Sequence, residues 1–542
     1  MRRNRYFLGI SGGVLIGNHD AAAALIRDGE LVAAAEEERF IRIKHAFGRL
    51  PEQAIRYCLK QENITLKNIE CISFPGKTYY NFSQILKNFF DLRFGYIPSI
   101  KLINHHLAHS AASYYSWKNE PAIILIMDYS GDNISTSASI GYNGKIKNIF
   151  KIMKPNSLGL FYSMITQYLG FEKDEDEYKI MGLSSYGNCN SLSFKNIISK
   201  KDDIYSINLD YINNNIKKGM PSPSIQQRIY KDILRLKEMR RLPDEKIKKY
   251  HFDIAASAQK TLEDIVLHII DNLVKKTGIR NICLGGGVAL NCLLNQKIRE
   301  SGLIDQIFLP PHTSDAGLSI GCAYLLCIEN GIILKPFEHC FIGPEYKDKD
   351  ILTIIKNCNI AYSKPYNIQN QVAKDLVKGK IIGWFQGKME FGPRALGNRS
   401  IIADCRNNEI KDKINKYIKY RESFRPFAPS VLEEKADEYF DNVIKSPYMT
   451  MTFNVREDKK SLLKAVTHVD GTARIQTVDK KTNYKFYNLI NQFYKLTGIP
   501  VILNTSLNIK GQPIACTPRD AIEIFFSTGL DSLALGSYYL SK

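Results

Sequence analysis

Two separate stretches of the chain follow one local grammar, and that repetition constrains the fold more than any single motif. Tyr6–Ile10 is a short apolar run closed by Ser11-Gly12-Gly13. Ala21–Ile26 is a second run, Arg27-Asp28-Gly29-Glu30 is a turn, and Leu31–Ala35 is a third run. The pattern returns at Ala122–Met127, which ends at Asp128-Tyr129-Ser130-Gly131. Ser135–Gly141, the turn Asn143-Gly144 and Lys145–Lys151 follow. Apolar runs bounded by D-G and N-G turns are hairpin signals, because those residues accept positive φ in tight turns. Two β-β-β units, each followed by helical sequence, predict two related α/β lobes with a cleft between them.

The rest of the chain divides by texture. Asn281–Leu284 predicts a strand, Gly285-Gly286-Gly287 a turn, and Val288–Ile298 a helix. Such a glycine turn either offers free backbone N–H groups to an anion or supplies a tight positive-φ corner. Pro336, Pro344 and Pro365, with Gly331 and Gly343, break periodicity and predict a boundary near 335–365. Domains are therefore expected at 1–345 and 366–542. The second has strands at 380–385, 400–403 and 500–503, and helices at 407–420 and 518–528. Segment 193–250 carries 14 basic and 7 acidic residues, an excess of 7. It reads as a solvated, helical insertion.

Composition excludes several classes. The 542 residues are 44% hydrophobic and 24% charged, the balance of a folded globular protein rather than a disordered, collagen-like or coiled-coil chain. Apolar runs such as Ala122–Met127 fall far short of the ~18–20 residues of a membrane span. The amino terminus has no apolar core for a secretory signal. Eleven cysteines without a C-x-x-C pair form neither a disulfide framework nor a thiolate zinc site, so a reducing, cytoplasmic compartment is expected. With 74 Lys+Arg against 55 Asp+Glu the net charge is +19, which suits nucleic acid, anionic substrates or a membrane surface equally.

Several residues could carry chemistry. On a helix, His105 and His109 of His105-His106-Leu107-Ala108-His109 lie at i and i+4 on one face, as two ligands of one metal or as capped, half-buried histidines. Asp128 at a strand end and Asp315 in Thr313-Ser314-Asp315-Ala316-Gly317 would complete a mixed N/O set suited to Fe²⁺, Mn²⁺ or Zn²⁺. His19, between two predicted strands, is either a general base or a surface turn residue. Arg394, Arg399, Lys419, Arg421, Arg425 and Arg474 sit among Gly and Pro in tight loops. That setting favours a small phosphorylated ligand, because nucleic-acid readers more often line cations along a helix face.

Taken together the motifs are specific. They comprise His19-Asp20, Glu36-Glu37-Glu38-Arg39-Phe40 with Lys44-His45, His105-x-x-x-His109, and Tyr178-Lys179-Ile180-Met181-Gly182. Further along come Gly285-Gly286-Gly287 with Asn291, Phe391-Gly392-Pro393-Arg394, Phe424-Arg425-Pro426, Thr472-Ala473-Arg474 and Leu503-Asn504-Thr505-Ser506. Over nearly its whole length the chain resembles the O-carbamoyltransferases that act on nodulation factors and on tobramycin, cephamycin, novobiocin and ansamycin antibiotics. The resemblance implies an α/β amino-terminal domain of the acetate-kinase/Hsp70/actin type, similar to threonylcarbamoyl-transferases, fused to a carboxy-terminal YrdC-like α/β domain. It implies carbamoyl-adenylate formation from carbamoyl phosphate and ATP with Mg²⁺, then transfer to a hydroxyl of a small molecule.

By the same resemblance, Arg394, Lys419, Arg425, Arg474 and Asn504 match the carbamoyl phosphate and ATP positions. His105, His109, Asp128 and Asp315 match ligands of a divalent metal, Fe²⁺ ahead of Mn²⁺ or Zn²⁺. His19 matches the catalytic base. Gly131, Gly285, Gly286, Gly287 and Asn291 match the adenylate cradle, and Lys44 and Lys179 match positions in the cleft. The turn after Asp128 departs from the family pattern, where Gly commonly follows the Asp directly. The implied partner is a small hydroxyl acceptor, with no nucleic acid and no membrane span; a homodimer is compatible. The rival class is a tRNA threonylcarbamoyladenosine-type enzyme, using the same two folds with threonine and bicarbonate.

Overall fold

A computed structural model of the chain describes residues 4–14, 18–117, 120–208 and 240–542. It divides into two compact units, Met1–Lys118 with Leu309–Lys542, and Asn119–Phe308.

The first unit opens with β1 (Tyr6–Ser11), β2 (Ala22–Arg27), β3 (Glu30–Glu36), β4 (Ile69–Pro75) and β5 (Ile100–Ile103), arranged β3-β2-β1-β4-β5. β1 pairs antiparallel with β2, and β2 with β3; β4 and β5 join in parallel. Alternate side chains point to opposite faces of the sheet. Tyr6, Leu8 and Ile10 therefore pack with Ala54, Ile55 and Cys58 of the Glu52–Gln61 helix and with Phe82, Leu86 and Phe90 of the Phe82–Phe94 helix. Phe7, Ala22, Ala24 and Ile26 pack on Ile320, Ala323 and Tyr324 of the Leu318–Glu329 helix. That helix lies unusually close. A Cβ on Gly9 would stand 1.9 Å from the Ser319 carbonyl oxygen, and one on Gly321 would stand 1.8 Å from that of Ala108. Glycine at these two points brings the helix after Asp315 against both β1 and the His105–Tyr114 helix.

The second unit repeats the scheme. β6 (Ala122–Gly131), β7 (Ile134–Tyr142) and β8 (Lys145–Met153) are successive antiparallel strands. β9 (Ile198–Lys201) and β10 (Ile204–Ile207) form a separate hairpin. β11 (Asn281–Gly285) and β12 (Gln306–Phe308) add in parallel, giving the order β12-β11-β6-β7-β8. Read from β8, the order and sense of the strands match β3-β2-β1-β4-β5. The duplicated lobe expected from the repeated turns is present in topology.

The carboxy-terminal part of the first unit holds a mixed sheet, β18-β15-β19-β14-β13-β20-β21. Its strands are β13 (Ile382–Phe385), β14 (Arg399–Ala403), β15 (Ala428–Leu432), β18 (Gln476–Val478), β19 (Val501–Ser506), β20 (Ser532–Leu535) and β21 (Tyr538–Ser541). β16 (Phe453–Asn454) pairs separately with β17 (Thr472–Ala473). The Ile368–Val377 and Tyr484–Thr497 helices bury Val372, Leu376, Phe486, Leu489 and Phe493 against Ile382, Trp384, Ile402 and Ile502.

Four local expectations are corrected. The strand ending at Asp128 continues to Gly131, with a break in register between Met127 and Gly131 that sets Asp128 in a bulge. The helix expected over 288–298 is two pieces, a 3₁₀ turn at Gly287–Leu290 and an α-helix at Cys292–Glu300, parted where Asn291 caps the second. The helix expected over 407–420 ends in a π-helical turn, Asn415–Lys419. The basic segment contains the β9–β10 hairpin and runs into the Lys249–Thr277 helix instead of being helical throughout; residues 209–239 lie outside the described residues.

Candidate functional site

The metal candidates of the first unit come from two elements. Asn104 caps the His105–Tyr114 helix through its side chain, which accepts the Leu107 N–H at 3.1 Å, so His105 and His109 stand one turn apart on one face. Their rings are 4.9 Å apart and both are buried. Asp315 opens the short turn before the Leu318–Glu329 helix. Its Oδ1 is 3.6 Å from His105 Nε2 and 3.3 Å from His109 Nε2. Three donors within 4.8 Å of one another, two imidazole nitrogens and a carboxylate, are a set a divalent first-row metal accepts.

Asp128 belongs to the second unit. Its Oδ1 accepts the Gly287 N–H at 3.2 Å, and its backbone carbonyl accepts the Ser157 hydroxyl. A Cβ on Gly286, at φ +83°, would meet the Met127 carbonyl oxygen at 2.2 Å. The triple-glycine turn therefore meets the bulge closely: Gly286 is a positive-φ corner, and the Gly287 N–H next to it is taken by the Asp128 carboxylate. Gly131 pairs with Ile134 at the end of that bulge. Asn291 is otherwise engaged. Its Oδ1 accepts the Leu294 N–H at 3.0 Å, and its amide exchanges hydrogen bonds with Gln259. Lys179 is buried and donates to Asp176 Oδ2 at 2.7 Å.

His19 is half-buried in the loop before β2. Asp20, at φ +53°, has Oδ2 3.5 Å from His19 Nδ1, and its Oδ1 lies 2.7 Å from His45 Nδ1. Burial alone would raise the Asp20 carboxyl; the charges and hydrogen bonds of His19 and His45 overrule it and hold it well below the usual carboxylate range. His45 is correspondingly raised, the Asp20 contact outweighing its burial. Lys44 and His45 share one 3₁₀ turn. His45 is a functional candidate that residue-by-residue reading left without a role; the His-Asp and Lys-His motifs carried it, but the pairing spans 25 positions.

The cations of the carboxy-terminal sheet gather at one end of its central strands. Lys419 is buried, and the π turn aims its Nζ at the Ser506 carbonyl oxygen and hydroxyl, and at Asn508 O and Oδ1, the last at 2.7 Å. All four partners are neutral oxygens. Burial, Arg421 and Arg425 press the ammonium well below its ordinary range. Arg425 faces Glu422 at 3.8 Å. Asn504 donates to Ser430 Oγ and Gln476 Oε1, both at 3.0 Å, and to the carbonyl of Ala395 beside Arg394. Gln476 stands two residues after Arg474 and itself donates to the Leu396 carbonyl at 2.8 Å. Ser506 lay in a motif without a role of its own, and Ser430, Gln476 and Asn508 had no assigned role; what each does is recognisable only from the strand across which it bonds.

The family model described as carbamoyltransferase N-terminus matches residues 8–93 and 76–324, and that described as carbamoyltransferase C-terminus matches 373–542. The chain belongs to the carbamoyltransferase family and is a carbamoyltransferase. It is 37% identical to nodulation protein NolNO of Sinorhizobium fredii, over 97% of this chain and 79% of that one. It is 35% identical to the uncharacterized protein sll1178 of Synechocystis, over 97% of this chain and 95% of that one. Nodulation protein NolO of Bradyrhizobium diazoefficiens is 38% identical over 81% of this chain and 79% of its own. Among the described residues no helix is long and apolar enough to cross a membrane.

Proposed function

We propose that this carbamoyltransferase is ATP-dependent and carbamoylates a hydroxyl of a small molecule in two steps. The observation that carries the reading is Lys419: buried, bonded to neutral oxygens, with Arg421 and Arg425 near it, it has no carboxylate partner among the described residues, and an anionic ligand would favour its charged form. Carbamoyl phosphate and the triphosphate of Mg²⁺-ATP would supply one. Arg394, Lys419, Arg425, Arg474 and Asn504 hold them, with Gln476 and Ser430 orienting Asn504. In the first step, water cleaves the P–O bond of carbamoyl phosphate and inorganic phosphate leaves. The freed carbamate oxygen attacks the α-phosphorus of ATP, and pyrophosphate leaves. The cations stabilise charge on the phosphates throughout. A carbamoyl carbon is a poor electrophile because nitrogen donates into the carbonyl; the mixed anhydride with AMP supplies a good leaving group.

In the second step the acceptor hydroxyl gives its proton to His19, attacks the carbamoyl carbon, and AMP departs. Asp20 orients His19 and favours its charged form once the proton has arrived. Gly131 and the Gly285–Gly287 turn cradle the adenylate, while Asn291, as the cap of its helix, fixes the turn; Lys44 and Lys179 border the same chemistry. His105, His109 and Asp315 would hold Fe²⁺, or Mn²⁺ or Zn²⁺ in its place. When bound, such an ion would supply Lewis acidity. The amino-terminal half is read as an actin/Hsp70-like duplicated fold, supported by its twin sheets, and the carboxy-terminal half as YrdC-like. A reducing cytoplasm suits eleven unpaired cysteines.

A tRNA-modifying threonylcarbamoyl enzyme is the alternative, favoured by the charge of +19 alone. Radiolabelled carbamoyl phosphate tested against bicarbonate plus threonine separates the two. Label passing from carbamoyl phosphate to a small hydroxyl compound supports the proposal; label from bicarbonate appearing in tRNA overturns it.

A further inference from the structure

We infer that Glu36 and Arg39 are positioning residues for the Arg394 loop, so that the adenylate-forming step depends on side chains of the amino-terminal sheet. The inference rests on the proposed role of Arg394 in binding carbamoyl phosphate. Glu36 ends β3 and Arg39 lies on the Glu38–Ile41 helix that follows it; both are buried. Between them they take both backbone polar groups of Gly392. Glu36 Oε1 accepts the Gly392 N–H at 2.8 Å, and Arg39 Nη2 donates to the Gly392 carbonyl at 2.9 Å. Arg39 also bridges to Glu36 at 3.2 Å and to Glu38 at 2.7 Å, which holds the pair in register. Gly392 admits no side chain. At φ +125°, a Cβ there would stand 2.5 Å from the Pro311 carbonyl oxygen.

The far end of the loop is held as firmly. Glu390 Oε1 accepts the N–H groups of Leu396, Asn398 and Arg399, at 2.6, 3.3 and 3.3 Å. Trp384 Nε1 donates to the Gly397 carbonyl at 2.8 Å. Residues 393–395, with Arg394 at the centre, run between these two anchors, with the Ala395 carbonyl also accepting from Asn504; only the Glu36–Arg39 anchor comes from another sheet. A guanidinium that must meet a planar, bidentate anion is sensitive to such anchoring, because its advantage lies in fixed geometry. A plain ion pair between Glu36 and Arg39 would not need to reach Gly392; this one does, on both sides of the peptide.

A double-mutant cycle tests the inference, with carbamoyl-phosphate-dependent pyrophosphate release as the readout. Glu36→Ala is expected to raise the KM for carbamoyl phosphate by about ten- to a hundredfold. Glu36→Ala/Arg394→Ala is expected to be no worse than Arg394→Ala alone, since a loop without its arginine has nothing left to position. Arg42→Ala provides the comparison. Arg42 donates to the carbonyls of Pro513 and Ile514 instead of to Gly392, so its loss should add to that of Arg394→Ala. Glu36→Gln keeps an acceptor for the Gly392 N–H and should fall nearer to wild type than Glu36→Ala. Should Glu36→Ala fail to fold by circular dichroism, Glu36→Gln and Arg39→Lys take its place in the cycle. Additive losses for residues 36 and 394, or a fall in kcat with KM for carbamoyl phosphate unchanged, would overturn the inference. No carbamoyl-phosphate-dependent pyrophosphate from the wild-type protein would instead be the failure of the proposed chemistry, and the positioning role would fall with it.

Discussion

His45 Nδ1 lies 2.7 Å from Asp20 Oδ1, across 25 residues of sequence, and His19 approaches the other oxygen of the same carboxylate. One half-buried carboxylate thus serves two imidazoles, one of them the proposed base. Asp20 holds positive φ, a conformation an L-residue adopts at some cost. The His45 contact and the backbone bond from Asp20 N–H to the His45 carbonyl at 2.7 Å hold it there.

The pair makes a pH prediction. Asp20 is depressed, so its contribution to stability is present above its ordinary value near ~4 and is lost as pH falls below that. His45 is raised, so its contribution is full below about 6.5 and is lost as pH rises through its elevated value. The difference in melting temperature between wild type and Asp20→Asn should therefore be widest between about pH 4 and 6.5 and should narrow on both sides. Histidine NMR should show the His45 titration moving down in Asp20→Asn. An unmoved His45 would mean the contact is not an ion pair.

Removing one imidazole tests the metal centre. His109→Ala should remain folded, since the Asn104 cap and the apolar face of its helix are intact. Metal content by plasma mass spectrometry should fall, and carbamoyl transfer should be lost. Pyrophosphate release should persist, because its proposed residues lie on the carboxy-terminal sheet. Equal loss of both activities with fold retained would contradict that separation.

Cation removal should do the reverse. Arg474→Ala or Lys419→Met should depress pyrophosphate release by about 2–4 kcal/mol of transition-state stabilisation, the scale of a lost buried charge-assisted contact to phosphate. Added synthetic carbamoyl-adenylate should restore transfer in both variants. No rescue, with the adenylate shown to survive the assay, would argue against two separate sites.

Much of this was legible in sequence where the physics is local. The D-G and N-G turns marked the hairpins of both lobes, and the repeat of that pattern anticipated the twin sheets. The HxxxH spacing put His105 and His109 on one helical face. What sequence concealed was set by contacts at long range. The bulge carrying Asp128 exists because β7 pairs on both sides of it. The break at Asn291 follows from a side-chain cap braced by Gln259, 32 positions away. The π turn at Lys419 serves acceptors at 506 and 508. The Asp20–His45 pair and the Glu36–Arg39 hold on Gly392 likewise join residues whose spacing carries no periodic signal.

His19→Asn isolates proton transfer. The variant should keep metal, nucleotide binding and pyrophosphate release, yet transfer about 10²–10⁴-fold more slowly. The wild-type transfer rate should fall as pH drops through the titration of the base, an inflection the variant should lack. Normal transfer, or loss of metal, would remove His19 from the role of base.

The most direct measurement is a rapid-quench experiment with ATP and ¹³C-carbamoyl phosphate, without acceptor, read by mass spectrometry. Labelled carbamoyl-adenylate should appear with pyrophosphate, at up to one equivalent per enzyme, and vanish when a competent hydroxyl acceptor is added. Labelled carbamoyl groups reaching an acceptor while ATP stays uncleaved and no adenylate forms would contradict the two-step chemistry.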